Sequence, residues 1–150
     1  MRAQSSFEYL MIFGIALGIL LPSIFIFYGT ASYTQDILLY SQVNRIGQNI
    51  IATSRSIHYS GEYSRDSILI NFPAEILSIK IYDNHELVIY FATDRGDDSL
   101  VLWSDVSLIT PIDEGGGVYR LTPDVFTFGQ ANVKVVSQGD TVLVYLEGYS

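Results

Sequence analysis

Cysteine is absent from the 150 residues of this chain, which excludes a disulfide framework, a thiol nucleophile and a thiolate metal site. Histidine occurs only as His58 and His85. They stand in different kinds of segment with no second His at ligand spacing, so both read as surface or boundary residues and no metal site is expected. Charge is scarce too: 8 basic and 16 acidic residues, 16% of the chain, give a net charge of -8. After residue 60 only Arg65, Lys80, Arg95, Arg120 and Lys134 face 14 acidic residues. That balance leaves no basic patch to neutralise phosphates, which argues against nucleic acid as a partner. It suits a solvated outer surface.

Catalytic motifs are missing as well. The chain has no G-x-S-x-G elbow, P-loop or dinucleotide fingerprint. Gly115-Gly116-Gly117 has no following Lys-Ser or Lys-Thr and reads as a flexible turn. Asp94-Arg95-Gly96-Asp97-Asp98 is the one dense acidic cluster, but its spacing is not that of an EF-hand loop, and it reads as a solvated hairpin end. No Asn is followed two positions later by Ser or Thr, so no N-glycan attachment is expected. The expectation is a protein that is not an enzyme and calls for no cofactor.

What the chain does have is apolar: 49% of its residues are hydrophobic and the mean hydropathy is positive. The excess is local. No charged residue occurs from Tyr9 through Gln35, and Leu10 to Phe27 is interrupted only by Gly14, Gly18, Pro22 and Ser23. At 1.5 Å per residue that run is a helix of roughly 27 Å, about enough to cross a bilayer. Glu8 sits at its edge, where a carboxylate in a lipid-like setting calls for a partner. Gly14 and Gly18, four apart, let another helix approach closely. Pro22 predicts a kink or a locally melted turn across Gly18 to Pro22.

Gly29-Thr30-Ala31-Ser32 interrupts the run with small residues, and a second helix follows from Tyr33 to about Tyr59. In it Leu39, Val43, Ile46, Ile50 and Ile57 stack on one face. Beyond Gly61 the pattern turns to short β-type runs: 67–72, 76–82, 86–93, 100–103, 106–109, 133–136 and 141–146. Asp83-Asn84-His85 and Gln138-Gly139-Asp140 read as the tight turns of hairpins. The fold class expected is α+β, a long N-terminal helix, apolar then amphipathic, followed by a small antiparallel β domain.

Arg2, Ala3, Gln4, Ser6 and Glu8, directly before a long apolar helix, resemble the class III signal peptide of archaeal type IV pilin-like proteins. The helix-then-sheet order resembles that family over the whole length. The resemblance implies a leader of residues 1–3, a transmembrane or filament-core helix at 4–28, an amphipathic continuation at 29–60 and an acidic β domain at 61–150. It implies cleavage by a prepilin peptidase between Ala3 and Gln4, with Arg2 on the cytoplasmic side. Glu8 would then pair with the α-amine of a neighbouring subunit, and Gly14, Gly18 and Pro22 would serve assembly. The partners implied are the peptidase, identical or related subunits and, before assembly, the membrane. The place implied is the cell membrane first and a surface filament afterwards.

Two other outcomes stay open on the residues. A helix that only anchors an extracellular binding module to the cell envelope has the same layout. Gly29-Thr30-Ala31 also has the small-x-small pattern that signal peptidase I accepts, and cleavage after Ala31 would release a secreted protein starting at Ser32.

Overall fold

The structure is a computed structural model that describes the backbone of residues 2–123 and 129–148, and the side chains of 7–27, 35–123 and 129–148. The chain divides into two compact units, residues 1–38 and 39–150. Helical backbone is assigned throughout α1 (Arg2–Ser60). It runs through Gly29–Ser32 and through Gly18–Pro22, so no turn is melted at either place. Helix formation is cooperative, so the hydrogen-bonded turns on both sides carry these weaker residues along.

In the first unit every described side chain from Phe7 to Phe27 is exposed. The second unit holds the core. Val43, Ile46, Ile50 and Ile57, four of the five residues expected on one helix face, are buried there, joined by Ile51, and Leu39 packs against them half-exposed. The 3.6-residue period explains both the face and its polar complement of Gln42, Asn44, Arg45 and Gln48, all exposed.

Among the described residues nine strands follow: β1 (Arg65–Phe72), β2 (Ile76–Tyr82), β3 (Glu86–Thr93), β4 (Gly96–Trp103), β5 (Ser107–Ile109), β6 (Ile112–Gly115), β7 (Val118–Arg120), β8 (Gly129–Ser137) and β9 (Thr141–Leu146). They form a four-stranded sheet, β1-β8-β9-β5, and a five-stranded sheet, β4-β3-β2-β7-β6. All pairs are antiparallel except β5 with β9. One face of each sheet meets the helix in a single core, with Val133, Val135, Val142 and Val144 from one sheet and Ile79, Ile81, Leu87, Ile89 and Phe91 from the other. The α+β class read from the sequence is the class observed.

β2, β3 and β9 have the bounds expected from the sequence. The tight turn between β2 and β3 sits on Asp83 (φ 48°) and Asn84 (φ 63°). Both lie in the left-handed region that short polar side chains tolerate, in a three-residue connection, Asp83-Asn84-His85, that sets Tyr82 opposite Glu86. β6 and β7 were not foreseen. They are four and three residues long and close around Gly115, Gly116 and Gly117, whose φ values of 85°, 66° and 82° only glycine adopts without strain. β4 starts four residues before the expected strand because its eight-residue ladder with β3 draws in Asp97, Asp98 and Ser99.

The helix is tied to β4 and to the loop that follows it at three levels. The Tyr40 hydroxyl donates to the Asp98 carboxylate, Gly47 lies against Leu102, and Arg55 Nε donates to Asp105 Oδ1 at 2.9 Å. The Tyr40 ring also meets Phe91 edge-on at 5.0 Å. A Cβ at Gly47 would lie 2.0 Å from Leu102 Cδ1 and 3.3 Å from Ile89 Cδ1, so a larger residue there requires the leucine side chain to shift. The glycine permits the close helix-to-sheet approach on which this part of the core is built.

Candidate functional site

Phe7–Phe27 is a 21-residue stretch long and apolar enough to cross a membrane, about 30 Å at helical rise, with none of it buried. A signal sequence meets the same description. Exposure is high all round: Phe7 73%, Ile19 66%, Phe25 83%. Burying such a surface against lipid or other apolar helices yields roughly 25 cal/mol per Å², a driving force far larger than any polar contact in this unit.

Within this stretch Gly14, Gly18 and Pro22 follow one another at four-residue spacing along one face. A Cβ at Gly14 or Gly18 would meet nothing within 4 Å. Pro22 leaves the Gly18 carbonyl without its helical donor, while Ser23 Oγ donates to the Ile19 carbonyl at 2.8 Å. Glu8 is exposed at the start of the stretch, one helical turn after Gln4. Arg2, Ala3 and Gln4 lie in the first helical turn, and their side chains fall outside the described residues.

In the second unit the candidates from sequence are dispersed. His58 sits near the end of α1, edge-on to Tyr59 at 5.3 Å. His85 is the last residue of the β2–β3 turn. Asp94–Asp98 forms the end of the β3–β4 hairpin, where Thr93 Oγ1 donates to the Gly96 carbonyl at 2.7 Å and accepts from the Arg95 amide at 3.2 Å. Among the described residues no three His, Asp or Glu side chains converge as metal ligands. A cleft of about 820 Å³ lies on the four-stranded sheet, lined among others by Tyr63, Arg65, Lys134, Tyr145 and Glu147. Lys134 donates to Glu147 across it at 2.7 Å, which raises the ammonium pKa and lowers that of the carboxylate.

Sequence reasoning passed over the other face of the five-stranded sheet. Register places Trp103, Glu86, Tyr82 and Val118 in one row across β4, β3, β2 and β7. Val101, Val88, Lys80, Arg120 and Ile112 make the next row. Val88 is only 5% exposed yet lies apart from the core cluster, so its neighbours on this outer face cover it. Tyr82 and Tyr90 hydroxyls meet at 3.1 Å. That hydrogen bond, then burial, then the charges of Tyr90 and Glu114 push the Tyr82 pKa up to about 12. The available signal was parity: Val101 and Trp103 alternate with the buried Leu102.

Comparison with protein-family models, with curated proteins and with solved structures gives no match for this chain.

Proposed function

We propose that this protein is the structural subunit of an archaeal type IV pilus-like surface filament, inserted by its N-terminal helix, trimmed before Gln4 and assembled helix to helix. The observation that carries the reading is the wholly exposed apolar stretch Phe7–Phe27 with one acid, Glu8, at its start. Such a surface needs lipid before assembly and like helices after it. Glu8 near the membrane face is costly alone. Paired with the α-amine of a neighbouring subunit's Gln4, it loses much of that cost and sets the axial register of one helix against the next. Gly14 and Gly18 let the neighbour approach.

The test is the mass and N-terminal sequence of the native protein, together with its fractionation. The expected result is a chain starting at Gln4 that moves from the membrane fraction into sheared surface material. A chain starting at Met1 that stays with the membrane overturns the filament reading in favour of an anchored binding module of the cell envelope, which the aromatic face around Trp103 favours. A chain starting at Ser32 overturns both, in favour of a secreted protein.

A further inference from the structure

We infer that the outer face of the five-stranded sheet, centred on Trp103, Glu86 and Tyr82, is a binding platform for a neutral polysaccharide. The inference holds whether the chain forms filaments or anchors singly, because it rests on the second unit alone.

Trp103 is the only tryptophan of the chain, and it is 66% exposed. A large ring left in water is ordinarily mobile, yet this one is held. One face stacks on the His85 ring, with centroids 5.6 Å apart and planes at 17°. The His85 ring is fixed in turn, its Nδ1–H donating to the Ser104 carbonyl at 3.0 Å. A rigid, exposed indole is pre-organised for a flat apolar ligand face, since little side-chain entropy remains to be lost on binding.

Around the ring stand the groups that read hydroxyls. Glu86 is directly opposite Trp103 in the ladder, and Tyr82 is opposite Glu86 on the next strand. Trp103 and Tyr82 are therefore two strands apart, about 10 Å, a span comparable to two linked pyranose rings. In the next row Lys80 Nζ donates to Glu114 at 2.7 Å, and Arg120 Nε lies 3.2 Å from the same carboxylate. Pyranose rings present an apolar C–H face to an aromatic ring while their equatorial hydroxyls reach sideways, and this face offers both kinds of contact in one plane.

Charge selects among ligands. The platform carries two carboxylates, Glu86 and Glu114, and two cations, Lys80 and Arg120, so its formal charge is zero. The domain around it is strongly acidic, 14 acidic residues against five basic ones after residue 60. An anionic polymer is repelled by that field, and the two cations are already engaged by Glu114. A neutral, hydroxyl-rich chain meets no such penalty.

The test uses the full chain in detergent and reads the emission of its single tryptophan. The probes are hexasaccharides of glucose, N-acetylglucosamine and mannose, with hexalysine as the charged control. The expected result is a saturable emission shift with at least one hexasaccharide and none with hexalysine. Calorimetry of the same sugar should show at least about tenfold weaker binding to Trp103→Ala, partial recovery in Trp103→Phe, and weakening in Glu86→Gln. Circular dichroism and the thermal midpoint of these variants are expected to match the parent, because Trp103 lies outside the core. No binding of any hexasaccharide up to about 10 mM, a range already too weak for a specific site, overturns the inference. So does sugar binding that Trp103→Ala leaves unchanged. A response to hexalysine alone also overturns it, and assigns the face to a cationic peptide.

Discussion

Replacing Gly47 by alanine tests the close packing of helix on sheet. Two effects oppose each other. Alanine in a helix interior is favoured over glycine by about 1 kcal/mol. Against this, the new Cβ would fall 2.0 Å from Leu102 Cδ1, and Ile89 Cδ1 at 3.3 Å limits where the leucine can go. Leu102 is 9% exposed, so moving it means giving up buried contacts at the rim of the core. Overpacking of this kind costs about 1 to 3 kcal/mol, and the net expectation is a loss of about 1 kcal/mol. The decisive measurement is a double-mutant cycle in urea on the full chain in detergent. Leu102→Ala alone is expected to cost about 2 to 5 kcal/mol through the cavity it leaves. In that background the obstacle is gone, and Gly47→Ala should turn stabilising by up to about 1 kcal/mol. The coupling between the two sites is thus expected to be about 1 to 3 kcal/mol. If Gly47→Ala stabilises equally in both backgrounds, the helix does not approach β4 as closely as described, and the reasoning fails.

On the proposed filament reading, Glu8→Ala is expected to leave leader removal intact and to impair polymerisation, read by mass spectrometry and by electron microscopy of sheared material; normal filaments from this variant overturn the register role proposed for Glu8. The carboxyl pKa of Asp98 is lowered by its hydrogen bonds from Tyr40 and the Ser99 amide, that of Asp105 by Arg55, and that of Glu147 by Lys134 and Asn132. Groups with folded pKa values below their unfolded ones add stability above the ordinary carboxylate range and lose it as pH falls through the folded values, so urea midpoints should decline in acid, and the Asp105→Asn variant should decline less steeply; an identical pH profile counts against the pairing. Tyr82 has its folded pKa raised to about 12, so its contribution is complete below the ordinary tyrosine pKa and is lost as pH rises through the folded one. Tyr90→Phe should remove a late-titrating step from the ultraviolet absorbance of the phenolates, and an unchanged curve contradicts the hydroxyl pair.

Much of the fold was legible because its signals are local. The helix face of Val43, Ile46, Ile50 and Ile57 follows from a period of 3.6. The bounds of β2 and β3 follow from alternating apolar residues around a turn that Asp83 and Asn84 can make. β6 and β7 were illegible for the opposite reason. Val118-Tyr119-Arg120 and Ile112-Asp113 are too short to carry a period. They are strands because β7 pairs with β2 at Lys80, Ile81 and Tyr82, a contact across nearly 40 positions of sequence. The parallel pair β5–β9 was equally hidden, since Ser107–Ile109 meets Thr141–Leu143 only after the chain has crossed between sheets.

The candidate sites divide in the same way. Glu8, Gly14, Gly18 and Pro22 share a helix, and helical spacing alone determines which of them lie on one face. The apolar length from Phe7 to Phe27 and the acid at its start are likewise properties of the sequence, because a helix satisfies its own backbone and needs no distant partner to form. The platform around Trp103 belongs to tertiary structure. Trp103, Glu86, Tyr82 and Val118 become neighbours through strand order and register, which depend on how non-local pairs are satisfied together. Gly47 likewise shows its reason only where Leu102 occupies the space its side chain would have filled.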